Sequence, residues 1–506
     1  MSLDAAVAVG YLAILGLLAP LGAHRLRLLW LRFRCPPRPE RREWPGELPV
    51  VTVQLPVYNE ANVVERLIDA ACALDYPADR LEIQLLDDSD DQTAEIAAPH
   101  VRRWRARGVD ARHIRRPGRA GFKAGALSNG LARARGELLL ILDADFVPPP
   151  DLVRRLLGPF ADPTVGAVQA AWGHLDEGTS WLTRAQALFL DAHFAIEHEA
   201  RHRAGLFFNF NGSAGMWRRA CVLDAGGWSA DTLTEDVDLS YRAQLAGWRF
   251  VYLDDVRVPA ELPSTLRAVE IQQERWTQGG VQSARKLLPP VWRADLPAAV
   301  KLEATAHLAG HVVHPLTLAL GVALAAGGWL GLAGAALPGW VHGAALAIAT
   351  VPFLLFYGAA CRLRGRRMGD AIRRTGEALL LGLGLGVPLT LAVLRGASGR
   401  RTAFARTPKE GSCPRVGYAA TGGLPARWTR AALAVVLAGA ATNLALGGAT
   451  ASLPFTGLFA LGYLASTAES LRPAAGRLAI GGRAMGSPLP GTRRRAPGPA
   501  HRLPRE

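Results

Sequence analysis

Cysteine is scarce in this chain: Cys35, Cys72, Cys221, Cys361 and Cys413 are scattered, and no two form a C-x-x-C pair. That spacing excludes a disulfide framework and a zinc ribbon. Charge is thin as well, at 20% of residues against 50% hydrophobic. The mean hydropathy is positive, high for a soluble enzyme. A net charge of +15 raises the question of nucleic acid, but no basic stripe with interleaved aromatics is present. The arginine clusters instead flank apolar segments, which is the positive-inside bias of a membrane protein. The expected partner is therefore a lipid bilayer and not nucleic acid. The charge order of a secretory signal peptide is missing too. Residues 5–23 are nearly uncharged, and Arg25, Arg27, Arg32 and Arg34 follow the apolar run instead of preceding it. A retained membrane helix over residues 1–24 is expected, with the chain cytoplasmic from residue 25 onward.

After a basic, proline-bearing linker (25–48), residues 49–260 carry the pattern of an α/β domain. Strand-like apolar runs fall at 50–55, 81–86, 138–142, 165–170 and 250–253, with helical periodicity at 61–74 and 123–135. Alternation of this kind predicts a mostly parallel, Rossmann-like sheet with helices on both faces. Acids sit where strands end. Leu85-Leu86 runs into Asp87-Asp88, and the run 137–142 drives into Asp143-Ala144-Asp145 before stopping at Pro148-Pro149-Pro150. Two strands ending in carboxylates make an acidic crevice at the carboxyl edge of the sheet, where α/β folds bind ligands. Such a crevice repels a bare diphosphate, and a bridging divalent cation (Mg²⁺ or Mn²⁺) resolves the conflict. The plain alternative is a pair of strand ends capped by solvated acids.

Three further stretches carry chemistry. Gly121-Phe122-Lys123-Ala124-Gly125 puts a lysine at the start of a helix, where backbone donors favour an anion. Thr234-Glu235-Asp236 places a good N-cap before two acids, with Val237, Tyr241 and Leu245 as the apolar stripe of the helix that follows. A carboxylate in that first turn is kept ionised and ready to accept a proton, and position alone does not choose between Glu235 and Asp236. Gln272-Gln273-Glu274-Arg275-Trp276, if helical, sets Gln272, Arg275 and Trp276 on one face. That face suits a sugar ring and its hydroxyls, or equally anchoring at a membrane surface.

The order of these motifs resembles the D, D-x-D, T-E-D, Q-x-x-R-W series of family 2 glycosyltransferases. Gln54-Leu55-Pro56-Val57-Tyr58-Asn59-Glu60 is similar to that family's first nucleotide-contacting strand and loop. Residues 207–215, Gly226-Gly227-Trp228 and 261–265 bring the likeness closer to the cellulose-synthase-like mannan and glucan synthases, over roughly residues 47–411. The resemblance implies a GT-A fold, a nucleotide-sugar donor, a glycan acceptor and inversion at the anomeric carbon. It implies that Tyr58, Glu60, Asp87 and Asp88 hold the nucleoside, and that Asp143 and Asp145 bind the metal and diphosphate with Lys123 and Arg275 nearby. Asp236 would be the general base. Trp276 and Gln272 would hold the acceptor sugar, with Glu235, Asn211, Gly212 and Ser213 along its path.

Beyond the Q-x-x-R-W helices (261–303) the chain turns hydrophobic. Membrane spans are expected within 304–361 and 431–471. The run 377–394 lies between two basic loops, so it is read as re-entrant or interfacial, inside a cytoplasmic segment 362–430. In that segment residues 404–411 resemble the F-x-V-T-x-K-G gating loop of cellulose synthases, with Arg406 in place of Val and one extra residue before Gly411. The tail 472–506 is expected to be disordered. His193, His198 and His202 with Glu197 match no standard metal spacing. His307, His311 and His314 share one face of an expected membrane helix. Three functions follow in order: a processive polysaccharide synthase of the inner or plasma membrane, a single-sugar transferase acting on a lipid or other membrane acceptor, and an inactive sugar-binding scaffold.

Overall fold

Among the described residues, seven segments take up strand geometry: β1 (Val51–Val57), β2 (Leu81–Asp87), β3 (Asp110–Arg115), β4 (Leu138–Ile141), β5 (Val165–His174), β6 (Gly215–Arg218) and β7 (Arg249–Ala260). They form one sheet in the order β3-β2-β1-β4-β6-β5-β7. The computed structural model describes residues 3–40, 43–330, 338–399, 406–409, 411, 424–447 and 451–472. Met1–Ser470 form one compact unit.

The expected parallel arrangement holds for β1–β2, β1–β4, β2–β3 and β5–β7. The exception is β6, which runs antiparallel between β4 and β5. Strand β1 has β2 on one side and β4 on the other, so the chain reverses its winding direction there. At such a switch point the carboxyl ends of adjacent strands splay their loops apart and leave a crevice. In register, Val57 pairs with Asp87 and Gln54 with Ile141, so Tyr58, Asp88 and Asp143 all emerge at that edge.

Both faces of the sheet are buried. Val51, Val53, Leu55, Leu138 and Leu140 point to one side, against the helices Val64–Cys72 and Thr93–Ala106. Leu139 and Ile141 point to the other, against the helices Phe122–Leu131 and Glu235–Leu245. Period-two alternation of a doubly covered sheet explains why these strands read as continuous apolar runs.

Among the described residues, four helices are long and apolar enough to cross a membrane: Ala5–Arg34, Gly310–Trp329, Gly339–Leu363 and Arg427–Leu446. The pair Met368–Gly384 and Gly386–Ala397 passes the same test jointly but bends by 53°. That geometry is common to a broken span and a re-entrant loop. Two expectations change. The helix expected from residue 304 onward is interrupted: Ala298–Leu308 ends, a short turn at Gly310–Val312 intervenes, and Val313–Trp329 follows. The helix Leu453–Leu471 forms but is not among the four; Thr456, Ser466, Thr467 and Glu469 lower the mean hydropathy of its sequence. Glu469 is buried there and accepts from Trp181 Nε1 at 3.0 Å. The tail from residue 473 lies outside the described residues.

Candidate active site

The crevice at the switch point gathers the residues that the motifs singled out. Tyr58, Glu60, Asp88, Lys123, Asp143, Asp145, Asn211, Gly212, Glu235, Asp236, Gln272, Arg275 and Trp276 all line one cavity. Asp87 and Ser213 do not. Asp87 is buried behind the crevice, where its carboxylate takes His113 Nε2 at 2.8 Å and the Ser89 backbone N–H at 2.9 Å. Ser213 acts from below: its hydroxyl accepts the Asp143 backbone N–H at 2.8 Å and so fixes the start of the D-x-D turn.

Strained backbone borders the cavity. Among the described residues, Asn59, Phe122 and Ala214 are the non-glycine residues with positive φ. Each lies beside a site residue, which is where such conformations concentrate. Gly212, with φ +78, leaves room that a side chain would take. A Cβ there would sit 3.0 Å from Asp236 Oδ2 and 3.3 Å from Lys123 Nζ.

Lys123 is the hub of the acids. Its Nζ lies 2.6 Å from Asp143 Oδ1 and 3.8 Å from Glu235 Oε1, and it donates to the Gly212 carbonyl at 2.9 Å. Burial works against its charge, but Asp143, Glu235 and Asp236 outweigh burial and hold the ammonium above its ordinary value. Asp236 moves the other way for a carboxylate. Burial and then the neighbouring Glu235 push it up to about 7, against the pull of Lys123 and the Val237 N–H. Thr234 does not cap the helix as expected. Its hydroxyl turns to Ser283 at 3.0 Å, because Gly279 lets the helix Leu266–Arg293 approach the T-E-D backbone closely.

A carboxyl group with that pKa accepts a proton only when ionised. The value of kcat/KM is expected to fall about tenfold per pH unit below about pH 7. Glu235→Gln removes a like charge that raises Asp236, so the acid limb of the profile moves to lower pH. A limb that stays in place would detach it from the Glu235–Asp236 pair.

Residues 49–279 match the family model described as Glycosyltransferase like family 2. These residues are a family 2 glycosyltransferase domain. Glucomannan 4-beta-mannosyltransferase 2 of Arabidopsis thaliana is 45% identical over 254 residues, 49% of this chain and 47% of its own length. Glucomannan 4-beta-mannosyltransferase 1 of Oryza sativa subsp. japonica is 42% identical over 270 residues, 52% of each. The chain spans about half the length of these relatives. Among solved structures, the mannosyltransferase PcManGT from Pyrobaculum calidifontis in complex with GDP-Man and Mn2+ superposes with a TM-score of 0.52 at 25% identity. The match covers 75% of this chain and 99% of that one.

Within the glycosyltransferase domain several residues escaped the motifs. Arg116 grips Asp88 through two bonds of 2.8 and 2.7 Å and also donates to the carbonyls of Ala120 and Phe122. It thereby ties the loop before Lys123 to the end of β2. The Arg119 guanidinium lies over the Tyr58 ring, 3.2 Å from its centroid, a cation–π contact that presents a flat surface beside Asp88. Trp172, on β5, packs 6.4 Å from the Trp276 ring and also lines the cavity. From the gating-like loop, Arg406 pairs with Glu60 through bonds of 3.1 and 2.7 Å, and Lys409 Nζ lies 2.5 Å from Asp145 Oδ2. Phe404, Ala405 and Glu410 of that loop lie outside the described residues.

The donor set suits a hard divalent cation. Asp143 and Asp145 offer carboxylate oxygens on one turn, and a cation bound there would displace the Lys123 and Lys409 ammonium groups that pair with them. A separate cluster, His174, Glu177 and Asp191, groups its ligand atoms within 4.8 Å. It shares no residue with the cavity, and Arg364 and Arg366 already neutralise Asp191 at 3.3 and 2.6 Å. That cluster is an ion-pair network.

A second, larger cavity of about 510 Å³ begins where the first ends. Trp172, Asn211, Thr234, Asp236, Gln272 and Trp276 line both. The second cavity is then walled by Arg25, His307, His311, His314, Phe353 and Phe459, from the long apolar helices and the segments next to them. The three histidines thus line one cavity although the helix that carries them is interrupted. Glu235 lines the first cavity but not the second, whereas Asp236 lies at the junction. That placement favours Asp236 over Glu235 for contact with two substrates at once.

Proposed function

We propose that this chain transfers mannose from GDP-mannose, with inversion, to the end of a β-linked polysaccharide that grows into the second cavity. The observation that carries the reading is the meeting of two cavities at Asp236, one lined by cations and acids, the other by membrane-type helices. The names of the plant relatives and the ligand of the archaeal mannosyltransferase support mannose and GDP over glucose and UDP. In this reading Tyr58, Arg119 and Asp88 receive the nucleoside, and Lys123 and Arg275 receive the diphosphate. Gln272 and Trp276 hold the terminal acceptor sugar.

Asp236 accepts the proton of the acceptor hydroxyl. The freed oxygen lone pair forms the bond to the anomeric carbon, and the bond from that carbon to the diphosphate oxygen breaks. The electron pair leaves with the nucleoside diphosphate. A divalent cation held by Asp143 and Asp145 would supply further neutralisation of that leaving group. Burial strengthens every charge interaction here, so a single base and a preorganised set of cations suffice for in-line displacement.

The second cavity, at about 510 Å³, lies within the roughly 300–1,000 Å³ that enclose a ligand of several rings. It supports a growing chain held beyond the reacting unit and passed between helices that span the bilayer. Arg25, Arg27, Arg32 and Arg34 after the first apolar run favour a cytoplasmic catalytic domain. The test is incubation of detergent- or nanodisc-held protein with labelled GDP-mannose and, separately, UDP-glucose, with Mg²⁺ or Mn²⁺. Polymer from GDP-mannose, digested by β-mannanase, is the expected product. Polymer from UDP-glucose alone would overturn the donor, and label confined to short lipid-soluble product would overturn processive synthesis.

A further inference from the structure

The helix Trp181–Ala192 widens into a π-helical turn, His193–His198, and resumes as Glu199–Ala204. Such turns are rare and gather at functional sites. This one places His193 and Glu197 on the wall of the second cavity. Their side chains form a relay that ends on Asn211. His193 Nδ1 lies 3.0 Å from Glu197 Oε2, and Asn211 Nδ2 lies 2.8 Å from His193 Nε2.

A carboxylate only accepts, so His193 donates from Nδ1 to Glu197, and in the neutral ring Nε2 then accepts from the Asn211 amide. Burial works against the Glu197 charge, but the His193 bond and the Arg201 guanidinium outweigh it and hold the carboxyl well below its usual range. The Asn211 backbone N–H is also committed, to Gln169 Oε1 at 2.9 Å. Oriented by these bonds, Asn211 Oδ1 is buried without a hydrogen-bond partner among the described residues. It belongs to a residue that lines both cavities and precedes Gly212, the residue packed against Asp236. A carbonyl oxygen left in that state is unfavourable until a donor arrives.

We propose that Asn211 Oδ1 receives a hydroxyl of the terminal acceptor sugar, and that His193 and Glu197 are positioning residues that hold the amide in the accepting orientation. This rests on the acceptor reading above. A relay that orients one amide sets the affinity for acceptor and leaves that for donor alone.

The test varies a hexasaccharide acceptor, β-1,4-mannohexaose or cellohexaose, at saturating levels of whichever nucleotide-sugar the wild type uses. His193→Ala is expected to raise the acceptor KM about tenfold, the scale of one well-placed hydrogen bond, with the donor KM within about twofold. His193→Gln keeps an amide oxygen that accepts from Asn211, and its acceptor KM stays within about threefold of wild type. Asn211→Ala gives a rise like that of His193→Ala, and the double variant is no worse than Asn211→Ala alone, since both act through one amide. The proposal is overturned by an unchanged acceptor KM in His193→Ala, by acceptor and donor KM rising together, or by effects that add in the double variant. An active wild type with any of those outcomes leaves the acceptor reading standing. A wild type that transfers from neither donor overturns that reading, and this proposal with it.

Discussion

Asp236→Asn is expected to slow glycosyl transfer by about a thousandfold while nucleotide-sugar binding is retained. General-base catalysis contributes roughly 10²–10⁴-fold, and the middle of that range is expected here because, among the described residues, Asp236 is the one carboxylate that lines both cavities. Asparagine keeps the shape of the side chain and can still accept the Val237 backbone N–H, which Asp236 Oδ1 takes at 2.9 Å. It cannot accept and carry a proton. The loss should therefore fall on kcat, with donor affinity by calorimetry within a few fold of wild type. The competing assignment is Glu235, which sits 3.8 Å from Lys123 Nζ and lines the first cavity but not the second. If Asp236→Asn retained transfer within tenfold while Glu235→Gln lost it, the base would be Glu235, and the meaning given to the cavity junction would fail.

The carboxyl edge of the sheet was legible because acids at strand ends are a local signal: Asp88, Asp143 and Asp145 each follow an apolar run. The order of motifs then supplied the links between distant segments. Strand β3 was not legible, since its sequence, Asp-Ala-Arg-His-Ile-Arg, shows the charge of a sheet edge and not the apolar run of a centre. Strand β6 is four residues long, too short for any period to register. Among site residues, Trp172 was hidden because β5 is buried on both faces over most of its length, so alternation does not separate a cavity wall from core. Arg116 and Arg119 were hidden for the opposite reason: they sit in a basic loop where every arginine reads as solvated. The His193–Glu197 pair has i, i+4 spacing, which on a regular helix signals a surface ion pair. Only the widened turn and the distance to Asn211 give it another meaning.

Asp145→Asn is expected to cost about a hundred- to a thousandfold in transfer, the scale of removing one preorganised electrostatic partner of a leaving group. Asp145 is buried, at 6% exposure, and its counter-charge is the Lys409 ammonium at 2.5 Å. Two effects act together in the variant. A ligand for a divalent cation is weakened, and Lys409 loses the carboxylate that fixes it beside the first cavity. They can be told apart by measurement. Loss of a cation ligand weakens Mn²⁺ binding in the presence of GDP, read directly by electron paramagnetic resonance, and shifts the Mn²⁺ dependence of the rate to higher concentration. Loss of Lys409 placement weakens nucleoside diphosphate binding even without metal, and Lys409→Ala should reproduce that part alone. Asp143 is paired with Lys123, which also contacts Glu235 and Gly212, so Asp143→Asn should perturb the metal and the ammonium cluster at once. A wild-type rate insensitive to EDTA, together with Asp145→Asn within tenfold of wild type, would remove the cation from the scheme. The counter-charges for the departing diphosphate would then be Lys123, Arg275 and Lys409.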